Sequence, residues 1–186
     1  MGEPLELLAP RPLDLDDARL GVLDSGEDGS AALLESLIAR LNRRHFLSEV
    51  VHLARPSAGQ PCAVDLLAQM AERCEVMILG VARSGEAAVA LAADATVLES
   101  LHVPCAVLAW PEACAATHGS SIANRPFEDS AIELGEGPHE DPTILQKLVE
   151  DSFRRVEQAL MRPDSTDPAA QPPATIARNG EVSCEC

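Results

Sequence analysis

The chain alternates short apolar runs with longer stretches in which apolar residues recur every three or four positions. The short runs lie at 19–23, 49–53, 76–81 and 104–110, and a weaker one lies at 130–134. Runs of this length between Gly, Pro, Asp and Ser residues are typical of strands, including strands buried on both faces. The pattern therefore predicts four or five strands.

The segments between these strands have the i, i+3, i+4 spacing of amphipathic helices. We expect helices from 30 to about 44, from about 62 to 73, from 85 to about 101 and from 142 to 161. Ser30 is predicted to cap the first of them, because a serine hydroxyl can accept a hydrogen bond from an unpaired amide of the first helical turn.

Strands that alternate with helices across short loops indicate an α/β fold. We predict a single-domain open parallel sheet with helices on both faces and flavodoxin-like strand order. The domain is expected at 19–162, between an extended lead-in at 1–18 and a flexible, Pro- and Ala-rich arm at 163–186. Ligands bind such sheets where the strand order reverses, which would bring the loop at 24–29 beside the loop at 82–87.

The chain is strongly acidic, with a formal net charge of −16 over 186 residues. Nucleic acids and anionic membrane surfaces are bound by clustered Lys and Arg, so neither is an expected partner. No apolar run approaches the roughly 20 residues that span a bilayer, and the first residues lack the basic region of a secretory signal. We therefore expect a cytoplasmic protein whose six cysteines are mostly reduced.

Four short motifs follow the first three predicted strands and the third predicted helix. They are Leu23-Asp24-Ser25-Gly26, Arg55-Pro56-Ser57, Gly80-Val81-Ala82-Arg83 and the segment from Leu98 to Pro104. In this order they make the chain resemble the UGSC-like domain family over roughly residues 8–160. Members of that family place selenocysteine or cysteine, then Gly-Ser-Cys, in the loop after the third motif. The resemblance implies a shared α/β scaffold and thiol or selenol chemistry in that loop.

This chain departs from the family at the redox motif itself, where it has Ser84, Gly85, Glu86 and Ala87. A thiolate or selenolate is the nucleophile in thiol exchange, and a second sulfur resolves the intermediate. A serine hydroxyl is not redox-active, and no histidine lies in a motif that would pair it with Ser84 as a base. The loop is therefore expected to have lost the family's chemistry.

The two loops at the predicted strand-order reversal nevertheless carry polar residues that could bind a ligand. The candidate ligand-binding residues are Asp24, Ser25, Arg83, Ser84, Gly85 and Glu86. Backbone donors at a helix N-terminus suit a small acid or a phosphate. Arg83 could fix such an anion or, equally well, pair with Asp24 or Glu86.

The cysteines give a second set of candidates. Cys184 and Cys186 end the arm and could form a disulfide, bind a soft metal or hold a sulfur atom, although an unused exposed tail has similar weight. Cys62, Cys74 and Cys105 are expected in the core, because free cysteine behaves as a small apolar residue. Cys114 and His118 have a spacing that could bind a metal, but loop or core packing of Cys114 is favoured.

These observations favour an accessory or partner subunit of a UGSC-like thiol or selenol system, with Cys184-Glu185-Cys186 acting in thiol redox, sulfur or metal transfer. One alternative is an enzyme that acts on a small molecule between the loops at 24–29 and 82–87. Another is a catalytically inactive structural partner of an intact paralogue. A protein partner is expected, either a second copy or a paralogous subunit, and the sequence identifies no cofactor.

Overall fold

A computed structural model describes residues 9–55, 57–117, 131–133 and 142–161. The strands within these residues are β1 (Arg19–Asp24), β2 (Glu49–Ala54), β3 (Val76–Ala82), β4 (Cys105–Ala109) and β5 (Ala131–Glu133). The helices are α1 (Ser30–His45), α2 (Val64–Arg73), α3 (Gly85–Ser100), α4 (Pro111–Thr117) and α5 (Pro142–Leu160). Each predicted strand and helix is present within a few residues of its expected bounds, whereas the pattern did not predict α4.

The five strands form one sheet in the order β2-β1-β3-β4-β5, and every neighbouring pair is parallel. This arrangement confirms the predicted α/β fold and its flavodoxin-like order. The chain leaves β1 toward β2 on one side and later returns to β3 on the other side. The carboxyl ends of β1 and β3 therefore flank the strand-order reversal at which such sheets bind ligands.

Two apolar cores cover the two faces of the sheet. Side chains of α1 and α5 form the first core, and side chains of α2, α3 and α4 form the second. The central strand β3 contributes side chains to both cores. Ile78 belongs to the first core, while Met77 and Leu79 belong to the second. All seven residues of β3 are buried, which explains its continuous apolar sequence.

The lead-in residues 9–18 contain no helix or strand, yet they are held firmly at the amino edge of the sheet. Glu99, a buried residue of α3, binds both outer nitrogens of the Arg11 guanidinium at 2.8 Å. The same carboxylate accepts the amides of Ala9 at 2.7 Å and Cys105 at 2.8 Å. One side chain thus joins the lead-in, α3 and β4.

The predicted arm at 163–186 lies outside the described residues, as do residues 1–8 of the predicted lead-in. No helix within the described ranges combines the length and the apolar character needed to cross a bilayer.

Candidate functional site

Two serines join the loop after β1 to the end of β3. The Ser25 amide donates a 2.7 Å hydrogen bond to the Gly80 carbonyl, and Ser25 Oγ donates a 2.7 Å bond to the Val81 carbonyl. Ser30 Oγ accepts the Val81 amide at 2.7 Å and donates to the Gly80 carbonyl at 3.0 Å. The predicted approach of the two loops is therefore present.

A local irregularity of β3 explains why these serines are needed. The register between β3 and β4 shifts between Leu79 and Ala82, and no β4 residue is paired with Gly80 or Val81. Their buried backbone groups require other hydrogen-bond partners, which the serines provide. The prediction that Ser30 caps α1 is wrong, because Gly29 occupies the N-cap position and the Ser30 hydroxyl is used by β3.

Arg83 ties the start of the second loop to the first loop. Its amide donates to Glu27 Oε2 at 2.6 Å, and its Nη1 donates to the Asp28 carbonyl at 3.2 Å. These contacts are with the first loop, and neither Asp24 nor Glu86 is among the Arg83 partners in the described residues. The Asp24 carboxylate instead accepts an amide of its own turn at 2.9 Å.

Ser84 is the N-cap of α3. Its Oγ accepts the Ala87 amide at 3.2 Å and thereby satisfies one of the unpaired amides of the first turn. Glu86 lies in that first turn, where its negative charge is favourable against the helix dipole. A Cβ placed on Gly59 would lie 3.2 Å from Glu86 Oε2. Glu86 therefore faces the loop after β2 rather than the loop that contains Asp24.

A small cavity lies between described residues of the two predicted loops. It has a volume of about 10 Å³ and is lined in part by Ser30, Val81, Arg83 and Trp110. A cavity of this size holds no more than about one water molecule. Hydrogen bonds join the two loops, while Arg83, Ser84 and Glu86 remain exposed at the surface.

A larger cavity of about 450 Å³ lies at the opposite, amino edge of the sheet. The lead-in and the turns before β3 and β4 form its walls, and its polar lining includes Arg11, Asp14, Glu75 and His102. None of the predicted site residues lines this cavity.

The sequence pattern did not reveal a buried ion pair at the carboxyl end of β2. The Arg55 side chain is fully buried, with Nη2 hydrogen-bonded to Asp94 Oδ2 and Nη1 donating to the Ala58 carbonyl at 2.9 Å. Asp94 Oδ1 accepts the Cys62 amide at 2.9 Å. One sequence signal could have identified Asp94: it is the lone acid in the middle of an alanine-rich helix, and a buried charge needs a partner.

Cys62 differs from the other described cysteines. Cys74, Cys105 and Cys114 are buried, as predicted, whereas Cys62 lies half-buried just before α2. Cys62 packs against the second core but is only partly buried, so the predicted core position is confirmed only in part. Burial raises the pKa of the Cys62 thiol, Asp94 raises it further, and the Arg55 guanidinium opposes this shift.

Burial also raises the pKa of the other two cysteines for which a shift is resolved. The pKa of Cys74 rises, with Arg73 opposing the shift, and the pKa of Cys105 rises well above its usual value, with Glu99 adding to the effect of burial. These thiols are therefore protonated at neutral pH.

A comparison with protein-family models matches residues 3–118 of the chain, well over half of its length, to the UGSC family. The chain belongs to the UGSC family. This confirms the resemblance seen in the sequence, although the matched range ends at the close of α4 and does not extend to 160. No curated protein matches the chain.

Because the chain belongs to the UGSC family, the residues at the N-terminus of α3 can be compared with the redox motif of that family. The sequence resemblance aligns the redox motif of the family with Ser84, Gly85, Glu86 and Ala87, and the structure shows that the first of these is the N-cap of α3. In this loop Ser84 serves as a helix cap and Glu86 lies in the first turn of α3.

Several predicted chemical groups lie outside the described residues. They are Cys184, Cys186 and His118. Within the described ranges, no three His, Cys, Asp or Glu side chains are grouped so that they could hold a metal ion.

Proposed function

We propose that this UGSC-family protein is an accessory or partner subunit of a thiol or selenol system. Its α/β domain serves as a scaffold, and the Cys184-Glu185-Cys186 segment acts in thiol redox, sulfur or metal transfer. A paralogous subunit with an intact redox motif is the expected partner, and a second copy of this chain is the alternative.

The position of Ser84 is the observation that carries this proposal. At the place where the family has its nucleophile, this chain has a hydroxyl that accepts the Ala87 amide. A serine cannot undergo thiol exchange, and hydrogen bonds of Ser25 and Ser30 join the adjoining loops. Sulfur chemistry in this protein therefore requires cysteines elsewhere in the chain.

Catalysis on a small molecule between the loops at 24–29 and 82–87 is the second candidate, and it would use the exposed side chains of Arg83, Ser84 and Glu86. The Ser25 hydroxyl is engaged with Val81, and the cavity between the loops has about 10 Å³. A catalytically inactive structural partner would retain the same scaffold, but Cys184 and Cys186 would then carry no disulfide, added sulfur or metal.

Intact mass spectrometry of the anaerobically purified protein, with and without reductant, tests the proposal. We expect the tail peptide to carry a disulfide, an added sulfur atom or a bound metal on Cys184 and Cys186. Two unmodified thiols under both conditions would contradict a working arm and favour the inactive structural partner.

Variants separate the arm from the scaffold. A Cys184→Ser/Cys186→Ser variant is expected to lose the modification and the thiol-dependent activity of the reconstituted system while keeping its fold. Ser84→Ala is the matched control. It removes the α3 cap and is expected to lower the free energy of unfolding by about 1 kcal/mol, but it should leave the chemistry of the arm unchanged. Loss of that chemistry in Ser84→Ala alone would favour the loop.

A further inference from the structure

The cavity of about 450 Å³ at the amino edge of the sheet has an acidic lining. Its acidic residues, all exposed, are Asp14, Asp16, Asp17 and Glu75. Arg11 also lines the cavity, but its guanidinium is paired with the buried Glu99 carboxylate through two hydrogen bonds of 2.8 Å. The cavity therefore favours a cationic group over an anionic one.

Large apolar side chains that are exposed to solvent border the same cavity. Leu13 is 78% exposed and lies between two lining residues, and Leu101 is 41% exposed and directly precedes another. Phe46 is 73% exposed and follows His45, whose Nδ1 lies 3.6 Å from Oδ1 of the lining residue Asp16. Three of the four large apolar side chains that are exposed in the described residues thus lie at this edge. Exposed apolar side chains grouped in this way mark interaction surfaces.

Contacts with the rest of the domain fix the walls of the cavity. On either side of Leu13, Arg11 is hydrogen-bonded to α3 and Leu15 is buried in the first core. On the other wall, Glu75 accepts the Arg19 amide at 2.9 Å. A surface that is held in place before binding loses little conformational freedom when a partner docks.

We propose that this face binds a basic segment of another protein. Its arginine or lysine side chains enter the acidic cavity, and its apolar side chains pack on Leu13 and the neighbouring exposed apolar residues. In the part of the chain that the structure describes, the carboxylates are not grouped to hold a metal ion, which fits an extended cationic segment better than a metal. The net charge of −16 opposes the approach of a second copy. The inference rests on the proposed function only in requiring a protein partner.

Fluorescence anisotropy with the full chain tests the electrostatic part of this proposal. The probe is a fluorescein-labelled peptide in which arginine and leucine alternate. Asp14→Asn/Asp17→Asn removes two negative charges from the cavity, and asparagine tolerates the positive φ of position 17. Asp65→Asn/Glu112→Gln is the matched control, because it removes two charges where α2 and α4 begin, at the opposite edge.

We expect the cavity variant to bind the peptide about tenfold more weakly than the wild-type chain, and the control to change binding by no more than about twofold. Equal weakening in the two variants would show that the peptide responds only to net charge. That result, or the absence of binding to the wild-type chain, would overturn the proposal.

A second pair of variants tests the apolar part. Leu13→Ala is expected to weaken peptide binding about fivefold, because it removes apolar surface beside the cavity. Val64→Ala is the control, since Val64 is 63% exposed at the start of α2 and should leave binding unchanged. Both side chains are exposed, so both variants should fold. Equal affinities of the two variants would contradict a role for Leu13.

Two other occupants are distinguishable outcomes. A wild-type dimer that Asp14→Asn/Asp17→Asn dissociates in analytical ultracentrifugation would assign the face to a second copy. Tighter peptide binding by Arg162→Gln/Arg178→Gln would assign it to the C-terminal segment of the chain itself. Either result would overturn the proposal. Repeating the binding measurements with Cys184→Ser/Cys186→Ser separates this face from the arm chemistry, because the peptide affinity should not change.

Discussion

At the residue scale, three polar side chains account for much of the organisation around the α3 helix. Ser84 caps its first turn, Asp94 binds Arg55 and the Cys62 amide in its middle, and Glu99 binds Arg11 near its end. Asp94 and Glu99 bind groups outside α3, whereas Ser84 binds an unpaired amide in the first turn of α3. The cap gives Ser84 a structural role at the position where the sequence resemblance places the family's nucleophile.

The buried thiols predict how stability depends on alkaline pH. The chain has no tyrosine and a single lysine, Lys147, so few other side chains titrate between pH 8 and 10. The pKa of Cys62, Cys74 and Cys105 is raised in the folded protein. The unfolded chain therefore loses these protons first, and the stability present below the unfolded thiol pKa falls as the pH rises above it.

Urea unfolding at pH 7 to 10 measures this loss. Each thiol that stays protonated only in the folded state contributes a slope of about 1.4 kcal/mol per pH unit above its unfolded pKa. Cys105→Ala removes the fully buried thiol and should give a shallower decline than the wild-type chain. Parallel declines in the two proteins would show that Cys105 does not contribute.

At the element scale, the strands and long helices could be predicted because their buried positions are apolar and recur at a regular spacing in the sequence. Both faces of β3 are covered, and its sequence is accordingly apolar throughout. The roles of Ser30 and Arg55 could not be predicted, because each serves a partner 39 to 51 residues away in sequence. The short helix α4 lacks the length over which helical spacing becomes recognisable.

The close contact between β3 and β4 at Gly80 predicts a steric effect. A Cβ at this position would lie 2.8 Å from Leu108 Cβ and 3.1 Å from the Leu108 carbonyl oxygen. We expect Gly80→Ala to lower the free energy of unfolding by about 1–3 kcal/mol. Gly59→Ala is the control, because its new Cβ would meet the movable end of Glu86. Equal effects of the two substitutions in urea unfolding would contradict this assignment.

At the scale of the whole molecule, buried carboxylates join segments that are far apart in the chain. Glu99 connects the lead-in with β4, and Glu157 on α5 binds His45 at 2.6 Å and Arg44 at 2.8 Å near the end of α1. The parallel order of the sheet could be predicted from alternating strands and helices. These connections could not, since a single glutamate in a helix gives no indication of its partner.

Removing the Glu99 carboxylate should therefore destabilise the molecule strongly. Glu99→Ala removes the carboxylate partner of Arg11 and leaves two buried amides without their acceptor, and we expect a loss of about 3–5 kcal/mol in the free energy of unfolding. Glu49→Ala is the control, because Glu49 pairs with Arg73 on the surface and should contribute at most about 1 kcal/mol. Similar urea midpoints for the two variants would show that the Glu99 contacts are not stabilising.

The hydrogen bond between the Ala9 amide and Glu99 also constrains when the lead-in can dock during translation. The two residues are 90 positions apart, so Ala9 is synthesised well before Glu99. At about 5–20 residues per second, translation leaves Ala9 waiting for roughly 5–18 seconds. During that interval the lead-in is without the carboxylate that binds it in the folded protein, so its docking follows the synthesis of α3.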